Sequence, residues 1–297
     1  MRKEAEAGLE LVWDGRALLG EGPVWDERTG ELLWVDILNG RVHVYSWRAG
    51  TTRTVQLDRP IGAVVPRASG AGWVGAMRDG LYLIDPDTAA LTRLASPESD
   101  KPDNRFNDGK CDDQGRFWAG TMSMRGEQGA GALYCLEPNG SVRKALEGVT
   151  VSNGLGWSPD GRTMYYIDSP TRQIAAFDYD PARGELSRRR IVVSLEGSDS
   201  QPDGMTVDAE GMLWVAEWDG WQVSRWNPLT GEKLGAVAVP AARVTSCAFG
   251  GPQGDELYIT TATVGLGPEA LERQPQAGGL FRIKPGVQGR PTHWYGG

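Results

Sequence analysis

Apolar residues in this chain fall in short runs of strand length, and the breaks between runs carry Gly, Asp, Asn or Pro. Arg41-Val42-His43-Val44-Tyr45 alternates polar and apolar positions, the period of a half-buried strand, and makes His43 a strand residue. Helical periodicity has little room, because Gly or Pro interrupts the chain roughly every 10 to 15 residues. One unit recurs: a turn with Asp and Gly, then a short strand with an aromatic residue. It appears as Asp26 to Gly30 before Leu33-Trp34, Asp112 to Gly115 before Phe117-Trp118, and Asp160-Gly161 before Met164-Tyr165. Asp208 to Gly211 precedes Leu213-Trp214, and weaker copies are Ser69 to Gly72 before Trp73 and Gly254 to Glu256 before Leu257-Tyr258.

The aromatic anchors at 34, 73, 118, 165, 214 and 258 are spaced by 39 to 49 residues, the period of a four-stranded propeller blade. Second turn signals after the anchors, such as Asp85-Pro86-Asp87 and Glu137-Pro138-Asn139-Gly140, close an outer hairpin in each blade. The expectation is therefore an all-β, six-bladed propeller of four-stranded blades that occupies residues 1–297 as a single domain. Leu9 to Trp13 precedes the first inner strand and is expected to pair with the last blade, which closes the ring and removes its open edge. Gly at 41 residues and Trp at 12 suit many tight turns and large aromatics wedged between sheets.

The net charge of -8 opposes a nucleic-acid or anionic-membrane partner. Arg188-Arg189-Arg190 is the one basic run, and after Gly184-Glu185 it reads as a solvated turn. Met1 to Glu6 leads into no apolar signal region, and no stretch reaches the roughly 20 apolar residues of a membrane span. Cys111, Cys135 and Cys247 have no paired spacing, which predicts reduced thiols and a cytoplasmic protein. Two histidines are too few for a histidine metal site, and no G-x-S-x-G nucleophile elbow is present.

Counting back 11 to 13 residues from each anchor gives Glu21-Gly22, Ile61-Gly62, Asn107-Asp108-Gly109, Asn153-Gly154, Asp203-Gly204 and Ser246-Cys247. An acid or amide followed by Gly thus recurs in four of six repeats. Such dipeptides are also common turns, and the shared register is what favours a site. Inner strands line a propeller's channel, so these positions converge at its axis. The glycine lets the chain turn as it enters the strand. Crowded carboxylates need a compensating cation, or their pKa values must rise. An all-oxygen set including Glu21, Asn153 and Asp203 suits a hard divalent ion such as Ca²⁺, Mg²⁺ or Mn²⁺.

Here the sequence resembles the senescence-marker-protein/regucalcin/gluconolactonase family. The segments are Gly20 to Trp25, Arg105 to Lys110, Trp118 to Met122, Ser152 to Leu155, Tyr166 to Ser169, Pro202 to Met205, and Arg273 to Gly279. The resemblance implies a gluconolactonase-like, metal-dependent carboxylic ester hydrolase that opens a small sugar lactone. It implies one divalent metal (Ca²⁺, Zn²⁺, Mg²⁺, Mn²⁺ or Fe²⁺) on Glu21, Asn153 and Asp203, substrate contacts from Arg105 and Asn107, and Asp203 as general base. Arg105 rests on the resemblance alone. A bound cation lowers the pKa of Asp203 and so weakens it as a base. One departure stands out: where some relatives carry an acidic residue that contacts substrate, this chain has Arg125, which accepts no hydrogen bond from a hydroxyl. Other readings are hydrolysis of a different lactone, ester or organophosphate on the same scaffold, a non-catalytic calcium-binding regulatory propeller, and a protein-interaction propeller.

Overall fold

The computed structural model describes residues 6–70 and 72–297. The N-terminal reading on Met1 to Glu6 therefore falls almost wholly outside the described residues, as does Ala71 in the second repeat's turn. The fold is a six-bladed β-propeller of four-stranded antiparallel blades. The inner strands are Gly20–Asp26, Ile61–Pro66, Asn104–Cys111, Ser152–Trp157, Gln201–Val207 and Val244–Gly250. Each aromatic anchor lies on the second strand of its blade. Glu10–Trp13 pairs with Leu280–Ile283 as the outer strand of blade 6, so the ring closes as expected. Little is helical: a six-residue α-helix, Pro268–Arg273, and one 3₁₀ turn, Ser169–Thr171.

The repeat's physical purpose is visible at Asp112 and Asp208. One carboxylate oxygen of each accepts the backbone N–H groups of its own turn, from Gln114 and Arg116 or from Glu210 and Met212. The other oxygen accepts the indole N–H of the anchor, Trp118 or Trp214, at 2.9 Å. Both carboxyls are fully buried beside an arginine, Arg116 or Arg225. Buried charge is tolerable on those terms, since every lone pair has a donor.

Apolar residues of neighbouring blades meet in six clusters, one at each seam around the ring. Each seam buries an aromatic or several branched aliphatics, worth about 2–3 kcal/mol per fully buried side chain. The core is thus a ring of wedges with no single centre, which leaves the axis free for polar groups.

Two features differ from expectation. Arg188 to Arg190 form no turn; they lie within the outer strand Glu185–Ser194, at a bulge where Arg188 has φ 49°. Arg188 and Arg190 pair with Asp178 on the adjacent strand, and this charged, bulged edge discourages pairing with another chain. The last twelve residues, 286–297, run across one end of the propeller as a strap touching all six blades. Gly289 N–H reaches Gly254 O, Ala209 N–H reaches Gln288 O, and Arg290 reaches Trp157 O and Ser158 O. Further on, Thr292 N–H donates to Glu27, Tyr295 pairs with Pro66 and Ala68, and Gly296 N–H reaches Gly115 O.

Tyr295, 2% exposed, donates from its hydroxyl to Glu137 O. Deleting residues 290–297 is expected to cost on the order of 4 kcal/mol, from one buried aromatic and several hydrogen bonds. The unfolding midpoint should fall by roughly 10 °C; a thermal melt of the truncated chain that matches wild type would refute the strap's role.

His43 is a buried strand residue, as expected, with its ring against Trp13 and Trp34 and Nδ1 2.8 Å from Thr54 Oγ1. Its Nε2 has no partner among the described residues. Burial lowers its pKa to about 4. The folded state therefore favours neutral His43. Its stabilisation is complete above the unfolded value of about 6.5 and is lost as pH falls from there toward 4. Wild type minus His43→Leu, compared by urea unfolding, should lose on the order of 2 kcal/mol between pH 7 and 4.5.

Candidate functional site

The polar residues at the repeat's shared position lie on inner strands. In every blade, pairing with the second strand shifts register at or beside them. Bulges of this kind re-aim a side chain, here into the channel. Of the four following glycines, two, Gly154 and Gly204, have a purpose other than the turn expected of them. Only Gly22 among these four has positive φ, 54°. At Gly204 a Cβ would sit 2.1 Å from Ser246 Oγ and 2.8 Å from its Cα, and at Gly154 2.7 Å from Asp203 O. At Gly154 and Gly204 the neighbouring inner strand leaves no room for a side chain, whereas Gly109 is crowded by Trp118 O of its own blade and Gly22 has the room and the φ of a turn.

Glu21, Arg105, Asn107, Asn153 and Asp203 line one pocket of about 210 Å³ at the starting ends of the inner strands. Asp108 departs from its sequence neighbour Asn107 and lines a second cavity, of about 90 Å³, nearer the strap. Every one of these polar residues is buried. Hydrogen bonds link blades 3 and 4: Arg105 Nη1 to Asn107 Oδ1 at 2.7 Å, Asn107 Nδ2 to Asn153 Oδ1 at 3.0 Å, and Asn153 Nδ2 to Ser169 Oγ at 2.8 Å. Ser169 Oγ donates to Pro202 O, an acceptor only, so it must accept from Asn153. That orientation turns Asn153 Oδ1 away from Ser169 and toward Asn107. Asn107 Nδ2 also donates to Ser152 O, so this amide positions both Arg105 and Asn153.

Burial is the main reason that Glu21 and Asp203 both titrate well above ordinary carboxylates. For Glu21 the next causes are the charges of Asp203 and Asp108, and for Asp203 that of Asp108. The two carboxyls share a side-chain hydrogen bond. Each also has the N–H of its following glycine as a partner, Gly22 at 2.7 Å and Gly204. Burial lowers Arg105 to about 10, against the opposing pull of Glu21 and Asp203, so it remains a cation at neutral pH.

A divalent cation fits this set. Two carboxylates and an oriented amide oxygen are hard oxygen donors, and they carry negative charge that a proton must otherwise screen. Among the described residues no three His, Cys, Asp or Glu side chains gather to hold a metal unaided. The third protein donor of such a site is therefore an amide.

Four inner strands supply the pocket in pairs spaced by two residues: Leu19 with Glu21, Arg105 with Asn107, Val151 with Asn153, and Gln201 with Asp203. Met122 and Trp218 complete the wall from second strands. Sequence reasoning did not pick out Leu19, Val151, Gln201, Ser169, Met122 or Trp218 as site residues. The strand period of two, applied backward from each polar residue, yields the first three. Arg125 lies outside the pocket, on an exposed turn paired with Asp103 at 3.1 Å. Beyond the pocket floor, Lys110 is half-buried beside Asp108 and donates to Met205 O at 2.7 Å. Cys247, pushed up to about 12 by burial, is a poor nucleophile.

Residues 19–263 match the SMP-30/Gluconolactonase/LRE-like region. The chain belongs to this family. Within the SMP-30/gluconolactonase family, regucalcin of Xenopus laevis is 43% identical over 295 residues, which cover 97% of this chain and 98% of that one. A Bacillus subtilis protein named as a candidate sugar lactone lactonase, YvrE, is 42% identical over 271 residues, 91% of this chain and 92% of that one. The solved structure of a regucalcin from Agrobacterium tumefaciens, described as a calcium-binding protein, is 32% identical with a TM-score of 0.93. That match covers 98% of this chain and 97% of the other.

Two buried acids that hold each other partly protonated destabilise the metal-free fold. Asp203→Asn is therefore expected to raise the melting temperature of chelator-treated protein by a few degrees, about 1 kcal/mol. A lower melting temperature in differential scanning calorimetry would show that Asp203 supports the metal-free fold.

Proposed function

We propose that this chain, as one propeller domain, is a divalent-metal-dependent lactonase that opens a sugar (aldono-)lactone to its aldonic acid. Glu21, Asn153 and Asp203 would hold the cation, and Arg105 and Asn107 would meet the substrate. The observation that carries this reading is a pocket in which two buried carboxylates face a buried arginine through a fixed amide network. Kinship with a protein named for sugar lactone hydrolysis supports it.

When bound, a divalent cation supplies polarisation of the lactone carbonyl and balances the negative charge that develops on its oxygen. Arg105 spends Nη1 on Phe106 O and Asn107 Oδ1, which leaves Nε and Nη2 to donate to substrate oxygens. Asn107 holds that guanidinium in place and contributes its remaining lone pair at the pocket. Asp203 meets the Gly204 N–H and Glu21 in the metal-free site, and with the proton it shares with Glu21 displaced by a cation it would have a carboxylate oxygen to take the proton of the attacking water. The water oxygen bonds to the carbonyl carbon, the ring C–O bond breaks, and the proton passes to the departing ring oxygen. Burial raises the basicity of Asp203 while a cation lowers it, and these opposed effects bring a carboxylate toward the range useful for general base catalysis.

The second reading, a non-catalytic calcium-binding protein, draws on the Agrobacterium relative's description. Turnover separates the two. Protein stripped with chelator and resupplied with Ca²⁺, Mg²⁺, Mn²⁺, Zn²⁺ or Fe²⁺ should hydrolyse an aldonolactone above the spontaneous rate, read as acid release. Asp203→Ala should lose more than tenfold in kcat/KM, at least ~1.4 kcal/mol. Tight metal binding without turnover of any lactone would favour the calcium-binding reading, and an Asp203→Ala variant that keeps a tenth of its activity would remove Asp203 as base and ligand.

A further inference from the structure

Gln201 and Trp218 stand out in the pocket because the mechanism above uses neither. They are cross-strand partners in blade 5, directly opposite each other, and both border the pocket that holds Asp203. The Gln201 side-chain amide makes no hydrogen bond among the described residues, whereas Asn107 and Asn153 in the same pocket are engaged. An amide that is neither tied down nor turned out to bulk solvent has a donor and an acceptor to offer a ligand. Trp218 is held in place by Arg243, whose guanidinium lies 4.8 Å from the ring centroid and pairs in turn with Asp219. A braced indole presents a rigid apolar face at low entropic cost.

The arrangement mirrors the blade 3 side. There Arg105, two residues before Asn107, pairs across strands with Met122, and both border the pocket. In blade 5, Gln201, two residues before Asp203, pairs with Trp218. Each wall patch sets one polar group beside one large apolar side chain. Between them, Leu19 and Val151 are apolar. A ligand that satisfies both patches carries oxygens on two edges and exposes a C–H face between them, which describes a polyhydroxylated ring and not an alkyl lactone or a flat aromatic ester.

We propose that Gln201 and Trp218 form a second substrate wall that selects polyhydroxylated lactones, Gln201 by bonding ring hydroxyls and Trp218 by covering the C–H face. This deepens the lactonase reading and rests on it. Arg125, turned out to Asp103, leaves hydroxyl recognition to these inner residues.

The test compares glucono-δ-lactone with unsubstituted δ-valerolactone in metal-loaded wild type, Gln201→Leu and Trp218→Leu, with melting temperature as the folding control. Each substitution is expected to lower kcat/KM for gluconolactone at least tenfold more than for valerolactone, mainly through KM. Equal losses on both lactones, or none on either, would overturn the second wall. Saturation-transfer NMR with glucitol, which cannot be hydrolysed, separates this idea from the lactonase reading. If wild type turns over neither lactone but binds glucitol, and Gln201→Leu and Trp218→Leu abolish that binding, the wall stands and the lactonase reading falls. Wild type that neither hydrolyses lactones nor binds glucitol, or variants that bind it as wild type does, would overturn the proposal.

Discussion

Six inner strands converge on one axis, and the distance of approach there governs most of what this molecule is. Where a Cβ at residue 204 would lie 2.1 Å from a neighbouring strand's side chain, only glycine fits. The residue just before that glycine is thereby held at the channel with almost no freedom. Register shifts in the same place turn it inward. Chemistry-bearing side chains therefore acquire their positions from backbone crowding, ahead of any hydrogen bond they make. Such positioning is rigid, which is what preorganised donors and acceptors require.

The same crowding strips water from Glu21, Asp203 and Arg105 together. Desolvation dominates the titration of all three, and it raises the acids while lowering the base. Asp203 and Asp108 push Glu21 further toward neutrality, Asp108 does the same to Asp203 against the pull of Arg105, and Arg105 is the group that its neighbours' charge keeps ionised. A site in this condition has unspent affinity for positive charge, and the divalent ion proposed for it would relieve the repulsion between the carboxylates and replace lost hydration with direct coordination. Elsewhere the protein buries carboxylates quite differently. Asp112 and Asp208 have all their lone pairs met by turn N–H groups, an indole and an arginine. The contrast between satisfied structural acids and the strained axial pair supports the role proposed for the latter.

How much of this was readable from the sequence follows from which physical signals are local. The Asp-turn-aromatic unit is local, because the aspartate binds its own turn and its own anchor indole a few residues on. It therefore exposed the blade count and the closure by Glu10–Trp13. Glu21, Asn107, Asn153 and Asp203 were legible as a register relative to those anchors. The glycine after them was visible too, though its reason at Gly154 and Gly204, an adjacent blade's strand, is a long-range contact that no turn propensity contains. Arg188 to Arg190 misled as a turn because a run of charge on an outermost strand has the composition of a loop. The strap over residues 286–297 carries no periodicity, and its partners are scattered over six different blades, backbone groups on five and the Glu27 carboxylate on the first. The split between Asn107 and Asp108 was also hidden, since a bulge sends adjacent residues to different cavities.

The two ends of the axis are built for different tasks, and the chain's own order shows why. Inner strands begin at the pocket and end under the strap. Residues at the pocket end, such as Arg105, Val151 and Gln201, belong to none of the apolar seam clusters, whereas later ones such as Lys110 and Thr206 border the strap-covered cavity. The carboxylates and amides sit between these zones, where any change also disturbs a neighbouring blade. The floor is constrained by the fold and the wall is comparatively free. A scaffold with that division can keep one mode of activating a ligand while the residue two places earlier on each strand decides which ligand arrives. Placing an unbonded amide beside a braced indole on one such wall is the kind of local change that alters selectivity at little cost to the ring.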